Sequence, residues 1–100
     1  MVIYIDIDST ICTTPSTDAD SLDYTQAVPW LDKIEKANKW YDEGHTIVYW
    51  TARGAITGKD WKQVTTDQLH AWGVRYHLLR FDKPFYDLFI DDKNINSQDW

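Results

Sequence analysis

The chain has 100 residues, of which 43% are hydrophobic and 15% aromatic, and a formal net charge of −6. This length allows one small domain, residues 1–100, and this apolar share argues against a disordered chain. The acidic balance disfavours a broad nucleic-acid or membrane surface, because both need clustered Lys and Arg. A single cysteine excludes an intrachain disulfide, and no apolar run has membrane-spanning length. We therefore expect a soluble, cytoplasmic protein without a membrane partner.

Residues 2–10 hold the first chemical signal, an apolar stretch that ends in two acids. β-branched and aromatic residues fill positions 2–5, as in a strand buried in a parallel sheet. Asp6 and Asp8 then place two carboxylates at the carboxyl end of that strand, where open α/β sheets bind ligands. A buried carboxylate is costly unless it is paired or bound to a metal. Solvated turn residues are the alternative explanation for the same pair.

The next elements form a strand–helix–strand unit. Polar residues 12–23 lack any helical or strand period, and we expect them to form a flap over the Asp6 edge. A helix is predicted from Pro29, because apolar residues recur every three or four positions up to Tyr41 and Gly44 suits its end. Residues 45–51 predict a second buried strand, which completes a right-handed βαβ unit.

The rest of the chain predicts a second helix and two further strands. After a loop at residues 52–58, a helix is predicted over about 59–72, with Thr57 and Asp60 spaced like a capping box. Residues 76–79 predict a short third strand, and residues 80–84 a loop without room for a helix. Residues 87–91 predict a fourth strand, which ends in a second acid pair, Asp91 and Asp92.

Parallel strands bring their carboxyl ends to one edge, so polar residues that follow them can meet there. These residues are Asp6, Asp8, Thr51, Lys83, Asp91 and Asp92. Clustered carboxylates raise one another's pKa unless a cation is present, and hard oxygen ligands suit Mg²⁺ in sites shared with phosphate. One carboxylate can attack phosphorus, a second can transfer a proton, and Lys and Thr can hold the phosphoryl group. The pattern therefore predicts phosphoryl chemistry.

With these residues in place, the sequence resembles the haloacid dehalogenase-like (HAD) superfamily of phosphohydrolases. The matching pieces are Asp6-Ile7-Asp8-Ser9-Thr10, Thr51 after the second strand, Lys83 within residues 83–87, and Asp91-Asp92 after the last strand. Residues 41–54 also resemble a subgroup of small members without a cap domain, which are often linked to sugar-phosphate or capsule metabolism. Each motif alone is weak, whereas all four in this order, over nearly the whole chain, are strong.

The resemblance implies a role for each matching residue. Asp6 would be the nucleophile and a metal ligand, and Asp8 the general acid and base, with its backbone carbonyl on the metal. Thr51 and Lys83 would hold the phosphoryl group. Asp92 would bind Mg²⁺ directly, while Asp91 would bind it through water or pair with Lys83.

Two residues that follow Thr51 are further candidates for substrate binding. The backbone N–H of Ala52 is placed to add a hydrogen bond to the phosphoryl group, and Arg53 is placed to grip the leaving group. Pairing of Arg53 with an acid of the protein is an equally good interpretation of that residue.

The resemblance also implies the architecture, a small Rossmann-like α/β three-layer sandwich. Its central parallel sheet would have about four strands in the order 4-1-2-3, flanked by helices and without a cap domain. Ser9 departs from the Gly most common in the signature, which concerns the turn rather than the chemistry. An open site of this kind leaves room for large substrates and for a homo-oligomer.

The expected activity is a Mg²⁺-dependent phosphatase that works through an aspartyl-phosphate on Asp6, with a sugar phosphate or another small phosphometabolite as substrate. Three alternatives stay open to different degrees. A polynucleotide or nucleotide phosphatase is disfavoured by the net charge, although a compact basic patch can be drawn from Arg53, Lys59, Lys62, Arg75 and Arg80. A catalytically silent binding or scaffold protein would keep the same residues. A signalling receiver module needs an acceptor Asp where this chain has Thr51.

Overall fold

A computed structural model describes residues 1–14 and 23–100 as a small α/β protein. Its elements are the strands β1 (Val2–Ile5), β2 (Thr46–Trp50) and β3 (Leu78–Arg80), the helices α1 (Leu31–Asp42) and α2 (Lys62–Ala71), and two 3₁₀ turns, Tyr24–Gln26 and Ser97–Asp99. Most of the predicted flap, residues 15–22, lies outside the described residues. No helix in the described ranges is long and apolar enough to cross a membrane.

The three strands form one parallel sheet in the order β1-β2-β3. Val2 lies opposite Thr46, and Val48 lies opposite Leu78, so the carboxyl ends of all three strands meet at one edge. The predicted α/β class with a parallel central sheet is therefore confirmed. This edge carries the loops that follow β1, β2 and β3.

The predicted fourth strand is not formed, since the sheet has three strands within the part of the chain that the structure describes. Leu88 and Ile90, the centre of that prediction, are 76% and 87% exposed. A strand parallel to β1 needs a crossover of about a dozen residues or more. Here residues 81–86 are all that separate β3 from this segment, which corrects four strands to three and leaves the order 4-1-2-3 unconfirmed.

Both helices cover the same face of the sheet, which corrects the predicted three-layer sandwich. Ile47 and Tyr49 of β2 pack into one core with Ile34 of α1 and Leu69 of α2. Side chains that alternate to the opposite face are largely exposed: Val2 is 66%, Tyr4 48% and Leu78 54% exposed. Two right-handed crossovers that advance in the same direction, β1 to β2 to β3, must place their helices on one side. The described chain is thus a two-layer arrangement.

The helix ends agree with one of the two local sequence signals, the Gly that ends α1, and disagree with the other, the capping box before α2. Helix α1 ends at Asp42, and Gly44 follows with a φ of +95°, as the sequence predicts. Helix α2 begins at Lys62, later than predicted, because Thr57 and Asp60 do not form a capping box. Thr57 instead accepts from the N–H of Lys59, and Asp60 accepts from the N–H of Lys62.

Candidate active site

A cleft of about 280 Å³ opens at the carboxyl edge of the sheet. Six of the predicted site residues line it, together with five others: Asp6, Asp8, Thr51, Ala52, Arg53 and Lys83, then Thr14, Tyr24, Pro84, Phe85 and Tyr86. The cleft does not include Asp91 or Asp92. The loops after β1, β2 and β3 therefore supply all of its predicted polar residues.

Asp6 follows β1 directly and faces Lys83 across the cleft. The Lys83 Nζ lies 3.4 Å from Asp6 Oδ1, and the two side chains are 12% and 37% exposed respectively. Burial raises the pKa of Asp6, while the charge of Lys83 acts in the opposite direction without cancelling that effect. Asp6 is thus a carboxylate that a further cation would stabilise in its charged form.

Lys83 is held at this position by its backbone as well as by its charge. Its N–H donates to the backbone oxygen of Thr51 at 3.3 Å, which ties the loop after β3 to the end of β2. Its Nζ also lies 5.8 Å from the ring centre of Trp50 and 5.5 Å from that of Tyr86. Contacts of this kind with aromatic faces stabilise a cation.

Thr51 is almost fully buried at the end of β2, with 1% of its surface exposed. Its hydroxyl oxygen accepts from the backbone N–H of Arg53 at 3.1 Å, which fixes the start of the loop after β2. A hydroxyl that accepts one hydrogen bond keeps its own hydrogen for donation. Thr51 can therefore donate to an anionic oxygen bound in the cleft, as its sequence position predicts.

Asp8 lies in a tight turn after β1 and is fixed by Arg53. The backbone oxygen of Ile7 accepts from Thr10 and Ile11, and Ser9 adopts a φ of +62°, so the turn uses the left-handed region that glycine prefers. The Nε of Arg53 lies 3.0 Å from Asp8 Oδ2, and its Nη2 lies 2.9 Å from Asp8 Oδ1. The turn and the Arg together set the direction of this carboxylate.

The structure favours the second interpretation of Arg53, pairing with an acid of the protein. Its side chain has no exposed surface, and its Nη1 donates to Thr65 at 3.0 Å and to Gln68 at 2.6 Å, both on α2. Its guanidinium also stacks 4.6 Å from the ring centre of Tyr24. Because protein groups occupy its donors, Arg53 positions Asp8 instead of gripping a substrate.

Cys12 belongs to the support of Asp8. Its thiol is fully buried and donates to Asp8 Oδ1 at 3.5 Å and to the Ile7 oxygen at 3.6 Å. Burial, with a smaller contribution from the Asp8 charge, raises the pKa of Cys12 to about 12. A thiol that stays protonated is a poor nucleophile, so Cys12 acts by packing and by its contact with Asp8.

The four predicted metal ligands are not assembled. Within residues 1–14 and 23–100, no group of three or more His, Cys, Asp or Glu side chains is placed to hold a metal ion. Asp91 and Asp92 are exposed, and Asp91 accepts from the backbone N–H of Lys93. Mg²⁺ often binds through one or two carboxylates plus water and substrate phosphate. Asp6, a carboxylate of the cleft lining whose pKa is raised by burial, fits such a minimal site.

Sequence reasoning missed several residues of the cleft and its support. Phe85 and Tyr86 lie in the segment after Lys83, where their large aromatic side chains beside a site residue were an available signal. Gln68, which donates to the Tyr24 oxygen and accepts from Arg53, gave none, because its role depends on where α2 packs. Of the five residues of the basic patch considered above, Arg53, Arg75 and Arg80 are each paired with an acid, at 2.9, 2.9 and 2.6 Å.

A wider groove, about 630 Å³, runs along α1 and includes Trp72 and Arg75. Its charges neutralise one another, since Arg75 pairs with Asp42 at 2.9 Å. It holds none of the predicted site residues, and we place the chemistry in the smaller cleft.

No protein-family model and no curated protein matches the chain. Among solved structures, a Vibrio cholerae protein described only as an MCSG target is similar in fold. Its TM-score is 0.81 at 25% sequence identity, over 98% of this chain and 85% of that one. This similarity supports the α/β fold and carries no functional name.

Proposed function

We propose that the protein is a Mg²⁺-dependent phosphomonoesterase that works through an aspartyl-phosphate on Asp6. One observation carries the proposal: Asp6 and Lys83 face each other at 3.4 Å in a cleft that Thr51 also lines. A carboxylate whose pKa is raised by burial, beside a cation and a hydroxyl donor, suits attack on an anionic phosphoryl group.

Each residue then has a defined task. An Asp6 oxygen forms a bond to phosphorus while the bond from phosphorus to the ester oxygen breaks, and the leaving alcohol takes a proton through Asp8. A water molecule next attacks phosphorus and gives its proton to Asp8, which releases inorganic phosphate and restores the Asp6 carboxylate. Lys83 and Thr51 hold the phosphoryl oxygens throughout. Mg²⁺, held by Asp6 and the Asp8 carbonyl, would neutralise charge on the phosphoryl group.

The proposed substrate is a small phosphometabolite, such as a sugar phosphate. The cleft is small, and two of the basic residues that could have contacted a nucleic-acid backbone, Arg75 and Arg80, are paired with acids of the protein. A polynucleotide phosphatase therefore has less support than a small-molecule one. A silent scaffold would show the same geometry, and an activity measurement separates it from the enzyme.

Phosphate release from p-nitrophenyl phosphate, sugar phosphates and nucleotides tests the proposal. We expect turnover with Mg²⁺, none with EDTA, and a loss of about 10³-fold or more in Asp6→Asn, because the nucleophile is removed. Asp42→Asn, which removes an exposed acid far from the cleft, is the matched control and should keep wild-type activity. Activity in Asp6→Asn equal to the control would overturn the assignment.

Asp91 and Asp92 need their own test, because the described cleft does not contain them. We propose that Asp92 completes the metal site when residues 87–92 approach Asp6 in the substrate complex, with Asp91 as a water-mediated ligand or a partner of Lys83. Asp92→Asn should then raise the Mg²⁺ concentration for half-maximal activity about tenfold or more. An unchanged Mg²⁺ dependence in both Asp91→Asn and Asp92→Asn would confine the site to Asp6 and Asp8.

A further inference from the structure

The wall of the cleft beyond Lys83 is apolar and aromatic. Pro84, Phe85 and Tyr86 line it, and Phe85 and Tyr86 are 64% and 39% exposed. Large aromatic side chains exposed in this way, inside a cleft that also holds charged groups, present ring faces to whatever enters. Pro84 fixes the backbone angle between Lys83 and Phe85, so the wall keeps a set direction from the cation.

The wall begins immediately beside the phosphoryl position. The Lys83 Nζ lies 5.5 Å from the ring centre of Tyr86, so a phosphoryl group bound to this ammonium stands next to that ring. A leaving group that extends from this phosphoryl group past Lys83 then meets the wall. A planar ring at that point can stack on an aromatic face, which is favourable beyond the area that it buries.

The size and the charges of the cleft further restrict which leaving groups it can accept. The cleft of about 280 Å³ has room for a phosphoryl group and one ring, since a water molecule takes about 30 Å³ of liquid. Asp6 and Asp8 both line it, and the two cations of its lining are Lys83, which faces Asp6, and Arg53, which is paired with Asp8, so a second phosphate would meet acids without a cation of its own there. A neutral leaving group is therefore favoured over a polyphosphate.

We infer that this site selects phosphomonoesters whose neutral leaving group carries a planar unsaturated ring, with Phe85 and Tyr86 as the stacking surface. The inference rests on the proposed function, because it concerns the group that leaves from phosphorus at Asp6, and it narrows the proposed small phosphometabolite to one with such a ring in place of a simple sugar phosphate. Both an aryl phosphate and a nucleoside monophosphate have this chemistry. They differ in whether the ring is close to the phosphate or one sugar away.

Benzyl phosphate and cyclohexylmethyl phosphate form the sharpest probe pair, because both leave as a primary alcohol and only one ring is planar. We expect wild-type kcat/KM to favour benzyl phosphate by roughly two- to tenfold, and Phe85→Leu and Tyr86→Leu to bring that ratio close to one. Trp30→Leu, which changes an exposed aromatic residue outside the cleft lining, is the matched control and should keep the wild-type ratio. Nucleoside monophosphates in the same assay distinguish the two sources of the ring.

Binding of the matching non-hydrolysable phosphonates, followed by NMR titration, tests the inference without turnover. Tighter binding of benzylphosphonate than of its cyclohexyl counterpart, with loss of the difference in Phe85→Leu, supports it. Equal binding and equal kcat/KM for the two rings would overturn it while leaving an Asp6-dependent phosphatase intact. Absence of any Asp6-dependent turnover, with the ring preference still present in binding, would overturn the proposed function instead.

Discussion

Arg53 and Asp8 are joined by two parallel hydrogen bonds, from Nε to Oδ2 at 3.0 Å and from Nη2 to Oδ1 at 2.9 Å. Bidentate pairs of this kind are both strong and directional. The pair joins the turn after β1 to the loop after β2, and its other donors reach Thr65 and Gln68 on α2. The buried guanidinium of Arg53 thus connects the turn after β1, the loop after β2 and helix α2 beside the cleft.

Substitution of Arg53 should lower the free energy of unfolding. Arg53→Ala leaves the Asp8 carboxylate largely buried and unpaired, and we expect the free energy of unfolding to fall by about 3 kcal/mol. Arg53→Lys should also destabilise, because an ammonium cannot reproduce the bidentate geometry. Urea unfolding measures both. Arg75→Ala breaks an exposed pair with Asp42 and should cost about 1 kcal/mol or less, so equal losses at the two sites would contradict this account.

The contribution of Asp6 to the stability of the folded protein should depend on pH. Because its pKa is raised by burial, the folded state holds the Asp6 proton more tightly than the unfolded state does. The stability of the wild type relative to Asp6→Asn should therefore fall as pH rises from the ordinary Asp pKa to the raised one, and stay constant above it. Carboxyl NMR titration without metal should show the Asp6 pKa rising further in Lys83→Met.

Asp82 is a control for Asp6, because its pKa is shifted in the opposite direction. Hydrogen bonds from Arg80, and secondarily from Trp50, lower the pKa of Asp82. The stability of the wild type relative to Asp82→Asn should be present above the ordinary Asp pKa and be lost as pH falls through the lowered one. Curves with the same slope for Asp6→Asn and Asp82→Asn would contradict the pKa directions.

The loop that carries Arg53 depends on Gly54. This residue has a φ of +85°, and a Cβ placed there would overlap the backbone oxygen of Lys59. Gly58 has a similar φ of +72°, but a Cβ there meets nothing within 4 Å. Gly58→Ala should therefore cost about 1–2 kcal/mol from the backbone conformation alone, and Gly54→Ala clearly more. Thermal unfolding of the two variants measures the difference, and equal costs would rule out the steric contribution.

Tyr49 offers a stabilising substitution. Its hydroxyl is buried in the core and has no hydrogen-bond partner among the described residues. Burial without a partner costs free energy, so Tyr49→Phe should raise the free energy of unfolding by about 1 kcal/mol. Tyr76 meets the Tyr49 ring edge-on at 6.0 Å and is only half-buried, so Tyr76→Phe should change stability by less than about 0.5 kcal/mol. A loss of stability in Tyr49→Phe would reveal a partner for this hydroxyl.

Much of the cleft was predictable because parallel strands end at one edge. Asp6, Asp8, Thr51 and Lys83 needed no knowledge of packing, since each directly follows a predicted strand or lies in the loop after one. The prediction of a fourth strand was wrong because strand formation also depends on long-range pairing. An apolar run such as residues 88–90 has the local composition of a strand, but its pairing depends on whether the chain before it can reach β1.

The role of Arg53 shows the second limit. Its position two residues after Thr51 allowed either a substrate contact or an ion pair, and the sequence could not choose between them. The choice depends on Asp8, which is 45 residues away, and on the side of α2 that faces the loop. Ser9 shows the same limit locally, because a left-handed φ at a serine is set by the turn around it.

The uncovered face of the sheet changes how the aromatic residues are understood. Val48 is only 1% exposed although no helix of residues 1–14 and 23–100 lies over it, and its neighbours in register are Tyr4 and Leu78. Tyr4 also meets Trp50 edge-on at 5.7 Å, and Arg80 spans to the Tyr4 hydroxyl at 2.8 Å. These side chains thus cover the central strand on the face that no helix of the described residues packs against. On this face of the sheet, aromatic side chains therefore bury the central strand in place of a second helix layer.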